Sequence, residues 1–154
     1  MKAKVNGIET YYEVHGKEGA PWLTLSHSLA CSVRMWDPQL EAFKDRYRIL
    51  AYDTRGHGES MAPTGAYTLE MLADDLHGLL RHLNIERTHF AGLSMGGMIG
   101  QTFALKYPGV FRSLVLADTN TLATLPPTVP APTARATRSM PQCSKAWTTA
   151  WDAS

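Results

Sequence analysis

Polar and apolar positions alternate over Lys4–Gly7 and again over Ile8–His15, which predicts two short antiparallel strands joined by a hairpin turn at Asn6-Gly7. Trp22–Ser26 is continuous enough in apolar character to read as a strand buried on both faces. Asp37 and Pro38 read as the cap and first residue of a short helix through Leu40 and Phe43. A further strand over Tyr47–Tyr52 closes in the polar loop Asp53–Gly58. Thr68 can cap an amphipathic helix in which Leu72, Leu76, Leu79, Leu80 and Leu83 share one stripe, with Asn84 as its terminator. Thr88–Leu93 is the next strand. The helix after it carries Met98, Phe103 and Leu105 and ends at Tyr107-Pro108-Gly109. Phe111–Ala117 reads as one more buried strand, with Asp118 at its tip. Strands alternating with helices imply an α/β fold with a parallel sheet and right-handed crossovers.

The densest signal is His89–Gly100, where an apolar run meets Gly92-Leu93-Ser94-Met95-Gly96 and continues at helical spacing. A serine on a tight strand-to-helix turn is held in a sparsely populated backbone conformation, with its hydroxyl lifted above the sheet edge. Side chains two residues before and after it would collide, and Gly92 and Gly96 remove them. The Met95 amide opens the helix and points where an oxyanion would form.

The 154 residues suffice for one domain with a core, and a net charge of +1 gives no footing for nucleic acid or an acidic surface partner. Cys31 and Cys143 form no metal or redox spacing, so reduced thiols and a cytoplasmic setting are expected, and no metal or other cofactor is implied. Cys31 reads as a small buried hydrophobe before a reactive thiol. The chain start shows no secretory signal, and no run is long enough to span a membrane. After Asp118 the composition shifts. Residues 119–154 are rich in Pro and Thr, which marks a tail distinct from a core over 1–118. Within it, Cys143, Trp147 and Trp151 sit four apart, as on one face of a short helix.

Four segments carry a family resemblance in order: Ser26-His27-Ser28-Leu29, Met35–Gln39, Tyr52–Ser60 and Gly92–Met98. The chain from about Val5 to Asp118 resembles the N-terminal half of the α/β-hydrolases, and within them the 3-oxoadipate enol-lactonases and related carboxylesterases. The resemblance implies a minimal, truncated α/β-hydrolase core: a mostly parallel sheet of about six strands flanked by helices. It implies Ser94 as nucleophile, the Leu29 and Met95 amides as oxyanion hole, a bracing role for Asp53–Ser60, and a small ester or lactone as substrate.

In the family the acid and the histidine follow the serine, yet no histidine follows His89 here. A frameshifted or truncated reading frame would give such a tail. Substitutes are therefore sought among the residues present. Asp118, at the end of the strand after the elbow helix, is the candidate acid or a turn residue. His27 is the candidate base, since its strand should adjoin the elbow strand, and His57 is a more distant one. His77 and His82 read as surface residues, and His89 as structural. The apolar strand 111–117 is expected to be a sheet edge and the contact of a homodimer. A catalytically incomplete hydrolase-like protein, with a binding or interaction role, is the alternative.

Overall fold

The computed structural model describes residues 1–120 and the backbone of 128–129. Strands β1 (Lys2–Val5) and β2 (Ile8–Gly16) are joined where Asn6 and Gly7 both take positive φ, 48° and 79°, as the tight hairpin turn requires. Then follow β3 (Trp22–Ser26), α1 (Asp37–Phe43), β4 (Arg48–Tyr52), β5 (Tyr67–Thr68), α2 (Leu69–His82), β6 (Thr88–Leu93), α3 (Met95–Lys106), β7 (Phe111–Ala117) and β8 (Thr128–Val129). The main sheet has the order β1-β2-β4-β3-β6-β7. Its β1–β2 and β2–β4 pairs are antiparallel, and the other three are parallel. The expected six-stranded, mostly parallel sheet is the observed one. β5 and β8 form a separate antiparallel pair, Tyr67 opposite Val129.

Thr68 caps α2 as its sequence predicts, accepting the Met71 N–H at 3.1 Å. Glu70 in the first turn and Arg81 and His82 in the last complement the helix dipole, and Asn84 leaves the helix in the left-handed region at φ 55°. The Leu72, Leu76, Leu79 and Leu80 stripe is buried against Leu50, Tyr52, Phe90, Ile99 and Phe103. Alternate residues of the same strands, Ile49 and Ala51 with Leu25 and Leu93, face a second cluster with Trp36 and Leu40. Pleating thus divides the core in two, with α2 and α3 on one face and α1 on the other.

Three expectations need correction. Asp37 is not the cap of α1 but its first residue. A 3-10 turn at Val33–Trp36, capped by Ser32, precedes it and moves the start by one position, with Trp36 at the cap. β7 is not buried: Val115 is 55% and Leu116 42% exposed. As the edge strand it has a neighbour only in β6 among the described residues, which leaves Val115 and Leu116 uncovered while Phe111 and Leu114 still pack on the core. An open apolar groove beside it is lined by Leu23, Trp36, Phe43, Tyr47, Val115 and Ala117. Cys31 is buried and disulfide-bonded, so the expected reduced thiol is corrected as well. The short helix through Cys143, Trp147 and Trp151 lies outside the described residues. Among the described residues no helix is long and apolar enough to cross a membrane.

Candidate active site

β6 delivers the chain to Ser94, whose φ of 50° and ψ of −110° lie in a region that costs a non-glycine residue about 1–3 kcal/mol. The surroundings hold it there. Ser94 N–H donates to Ala117 O at 2.9 Å, and Ser94 O accepts from Met98 N–H at 3.1 Å and from the Thr119 hydroxyl at 2.8 Å. A Cβ on Gly92 would overlap the Gly96 carbonyl, and one on Gly96 would overlap the Ser26 carbonyl. The two glycines therefore let strand, turn and helix close on one another. Met95, the next residue, begins α3, where the first-turn amides have no partner within the helix and carry the positive end of its dipole.

Parallel pairing of β3 with β6 sets Ser26 opposite Gly92, so the loop His27–Ala30 leaves the sheet beside the elbow. Leu29 is exposed, and Ala30 turns through a φ of 59°. The Ser28 carbonyl accepts the Cys31 N–H at 3.2 Å and the His27 ring at 2.8 Å.

Sequence reasoning places His27 next to the elbow strand, and its backbone is there. Its side chain is committed elsewhere. Nε2 accepts the Thr54 N–H at 3.0 Å, which leaves the proton on Nδ1, where it is donated to Ser28 O. Burial holds the ring pKa down at about 4, against a weaker upward pull from Ser28. With both nitrogens engaged, His27 has no lone pair for the Ser94 proton, and the expectation of a local base fails at this residue. His57 packs against it, ring centres 5.1 Å apart. Its Nδ1 lies 3.0 Å from Thr54 Oγ1 and 3.1 Å from Arg55 O, while Nε2 is buried without a partner among the described residues. Burial, then the neighbouring His27, lowers its pKa to about 4 as well. No histidine hydrogen-bonds the Ser94 hydroxyl among the described residues.

Asp118 is exposed, with φ 44°, on the corner between Ala117 and Thr119 that grips Ser94. Its place next to the elbow agrees with the sequence reading, and its conformation is that of a turn residue. His89 bridges β6 and β7 through Ser113 Oγ at 2.8 Å, a structural role. His82 is exposed, and His77, expected at the surface, is half-buried and stacks on Tyr107 at 3.8 Å.

The loop after β4 is a brace. Asp53 Oδ1 accepts Val33 N–H at 2.8 Å and Oδ2 accepts Glu59 N–H at 2.9 Å, tying β4 to the segment that follows the 27–30 loop. Arg55 forms a buried two-point ion pair with Asp75 of α2 at 2.6 and 2.8 Å. Sequence reasoning missed two contributors. Asp75 carries no local signal, twenty residues from its partner, and Thr119 lies in the stretch set aside by composition. Among the described residues no cluster of three His, Cys, Asp or Glu side chains could hold a metal ion.

A strained serine between strand and helix, closed by paired glycines on a sheet of this order, defines an α/β-hydrolase core. Residues 21–142 match the family described as the alpha/beta hydrolase fold, and the chain belongs to that family. It is 41% identical over 108 residues to 3-oxoadipate enol-lactonase 2 of Acinetobacter baylyi, a match covering 70% of this chain and 40% of the relative. The crystal structure of the enol-lactonase from Burkholderia xenovorans superposes with a TM-score of 0.75 at 44% identity, over 77% of this chain and 46% of that one. A thermophilic esterase from Thermogutta terrifontis gives 0.72 at 37% identity, over 78% and 46%. The chain thus spans about two fifths of the length of the curated relatives it matches.

Proposed function

We propose that this chain is a hydrolase of small carboxylic esters or lactones that uses Ser94 as its nucleophile. The observation that carries this reading is the backbone of Ser94, kept at φ 50° and ψ −110° by bonds to both its N–H and its C=O. Such strain persists only where the surroundings over-determine it, and it exposes the hydroxyl at the carboxyl edge of the sheet. The Met95 and Leu29 amides are the proposed donors to the oxyanion. In the first step the Ser94 oxygen bonds to the acyl carbon, the alkoxide leaves, and the serine proton passes to water. Water then cleaves the acyl-serine.

The engaged nitrogens of His27 narrow the substrate range. No histidine meets the Ser94 hydroxyl among the described residues, and a serine served by no base is a slow nucleophile, for which leaving groups that need no protonation are favoured. Aryl esters and enol lactones, which leave as phenolate or enolate, meet that condition. Asp118 is then a turn residue of the elbow rather than a triad acid. The same observation favours a second reading, an incomplete hydrolase-like protein that binds esters without turning them over. A burst assay with p-nitrophenyl acetate and butyrate separates the two. Release of p-nitrophenolate that disappears in Ser94→Ala supports the serine reading, and equal rates in both proteins reject it. A homodimer through β7 is part of this proposal, since the exposed Val115 and Leu116 lie on an edge strand.

A further inference from the structure

A trans peptide carries its C=O and N–H on opposite sides, so a contact that fixes the carbonyl also fixes the direction of the next residue's amide. Both proposed oxyanion donors sit on peptides held in this way. The amide of Leu29 shares its peptide with the Ser28 carbonyl, which His27 Nδ1–H holds at 2.8 Å. The amide of Met95 shares its peptide with the Ser94 carbonyl, which the Thr119 hydroxyl holds at 2.8 Å. The second bond is additional to the helix. Met98 N–H already supplies the ordinary intrahelical donor at 3.1 Å.

Thr119 reaches that carbonyl through a made opening. Its Cβ, Cγ2 and Oγ1 lie 2.7–2.8 Å from where a Cβ on Gly97 would stand, so a side chain at Gly97 would push the hydroxyl away. The corner is fastened twice more, by Ser94 N–H to Ala117 O at 2.9 Å and by Gln101 Nε2–H to Asn120 O at 2.9 Å. Donation into a carbonyl also polarises its peptide and strengthens the N–H on the other side as a donor.

We propose that Thr119 is a positioning residue of the oxyanion hole, aiming and polarising the Met95 amide through the Ser94 carbonyl. The role given to Met95 rests on the serine-hydrolase reading above. The aiming of its amide does not.

The test uses the full chain with three substitutions. Thr119→Val removes the hydroxyl at nearly constant shape. Thr119→Ala removes it in a smaller volume, so a packing fault in the first is not shared by the second. Thr119→Ser keeps the hydroxyl. In p-nitrophenyl butyrate acylation, Val and Ala lower the rate constant about tenfold with KM little changed, and Ser stays within about threefold of wild type. Independently of turnover, the Met95 amide cross-peak in ¹⁵N-correlated NMR moves in Val and Ala toward the shift of a weaker donor, and Ser restores it. A Met95 cross-peak unmoved by loss of the hydroxyl overturns the proposal, and so does a Ser variant that behaves like Val. If Ser94→Ala and wild type hydrolyse equally, the serine reading fails, and the NMR comparison still decides whether Thr119 aims this amide.

Discussion

Acidification from pH 7 to pH 4 should strongly destabilise this protein through two histidines. His27 and His57 are 0% and 1% exposed and stay neutral in the folded state until about pH 4. In the unfolded chain they take up protons near 6.5. Between those values the unfolded state binds more protons, so stability falls as the pH drops, by about 1.4 kcal/mol per pH unit for each histidine titrating fully. A shift from 6.5 to about 4 thus removes about 3 kcal/mol for His27. For His57 the figure is smaller, because part of its depression is repulsion from a charged His27 that is absent while His27 is neutral. The pair together removes about 4–5 kcal/mol, a large share of an ordinary domain's stability. Two other groups modify the slope. His77, also lowered by burial and then by Arg81, adds to it. Asp53, raised by burial, opposes it near the acid end, since its folded form takes up a proton first. Urea unfolding followed by far-ultraviolet circular dichroism between pH 7.5 and 4.5 reads the effect as a falling midpoint. In a His27→Gln, His57→Gln double variant the midpoint should be lower at pH 7 but much flatter with pH. A wild-type midpoint constant over that range, or a slope unchanged in the double variant, would refute the reasoning.

Asp75→Ala leaves the Arg55 guanidinium buried without its carboxylate and should cost about 3–5 kcal/mol in urea unfolding. A loss below about 1 kcal/mol would show that solvent reaches the pair. Gly96→Ala drives a methyl group into the Ser26 carbonyl, so the elbow must open. It should cost about 2–3 kcal/mol and abolish the Ser94-dependent burst, and an active, equally stable variant would contradict the close approach of α3 to β3. Val115→Lys places a charge on the exposed edge strand and should shift sedimentation of the protein toward monomer. A wild type that is already monomeric at micromolar concentration would remove the dimer from the proposal.

The parts legible in the sequence are those that one short window determines. The Leu72–Leu83 stripe with its Thr68 cap, the Asn6-Gly7 turn and the Gly92–Gly96 elbow each need no knowledge of a distant residue, and each stands where its pattern places it. β7 misled because Leu114–Ala117 is apolar by composition, while burial depends on whether a neighbour covers the strand. The start of α1 moved by one residue because Ser32 caps a preceding turn that the Asp37-Pro38 signal masks.

The site itself is less legible, and His27 shows why. Its position was readable, since the third strand of an α/β sheet had to adjoin the elbow strand. Its chemistry was decided by Thr54, twenty-seven residues away on the loop after β4, whose amide occupies the one lone pair a base would need. Thr119 is the converse case. Composition assigns it to the tail, yet its hydroxyl reaches across twenty-five residues to the elbow carbonyl. Both contacts join loops at the carboxyl ends of neighbouring parallel strands, where chain separation is long by construction and no periodicity operates. The same topology makes the strain at Ser94 sustainable. A conformation costing about 1–3 kcal/mol at one residue is held by bonds from β7, from the corner after it and from α3, elements that only the finished sheet brings together. A serine with this backbone is therefore a property of the folded sheet, and its five-residue motif specifies only that such a turn is sterically permitted.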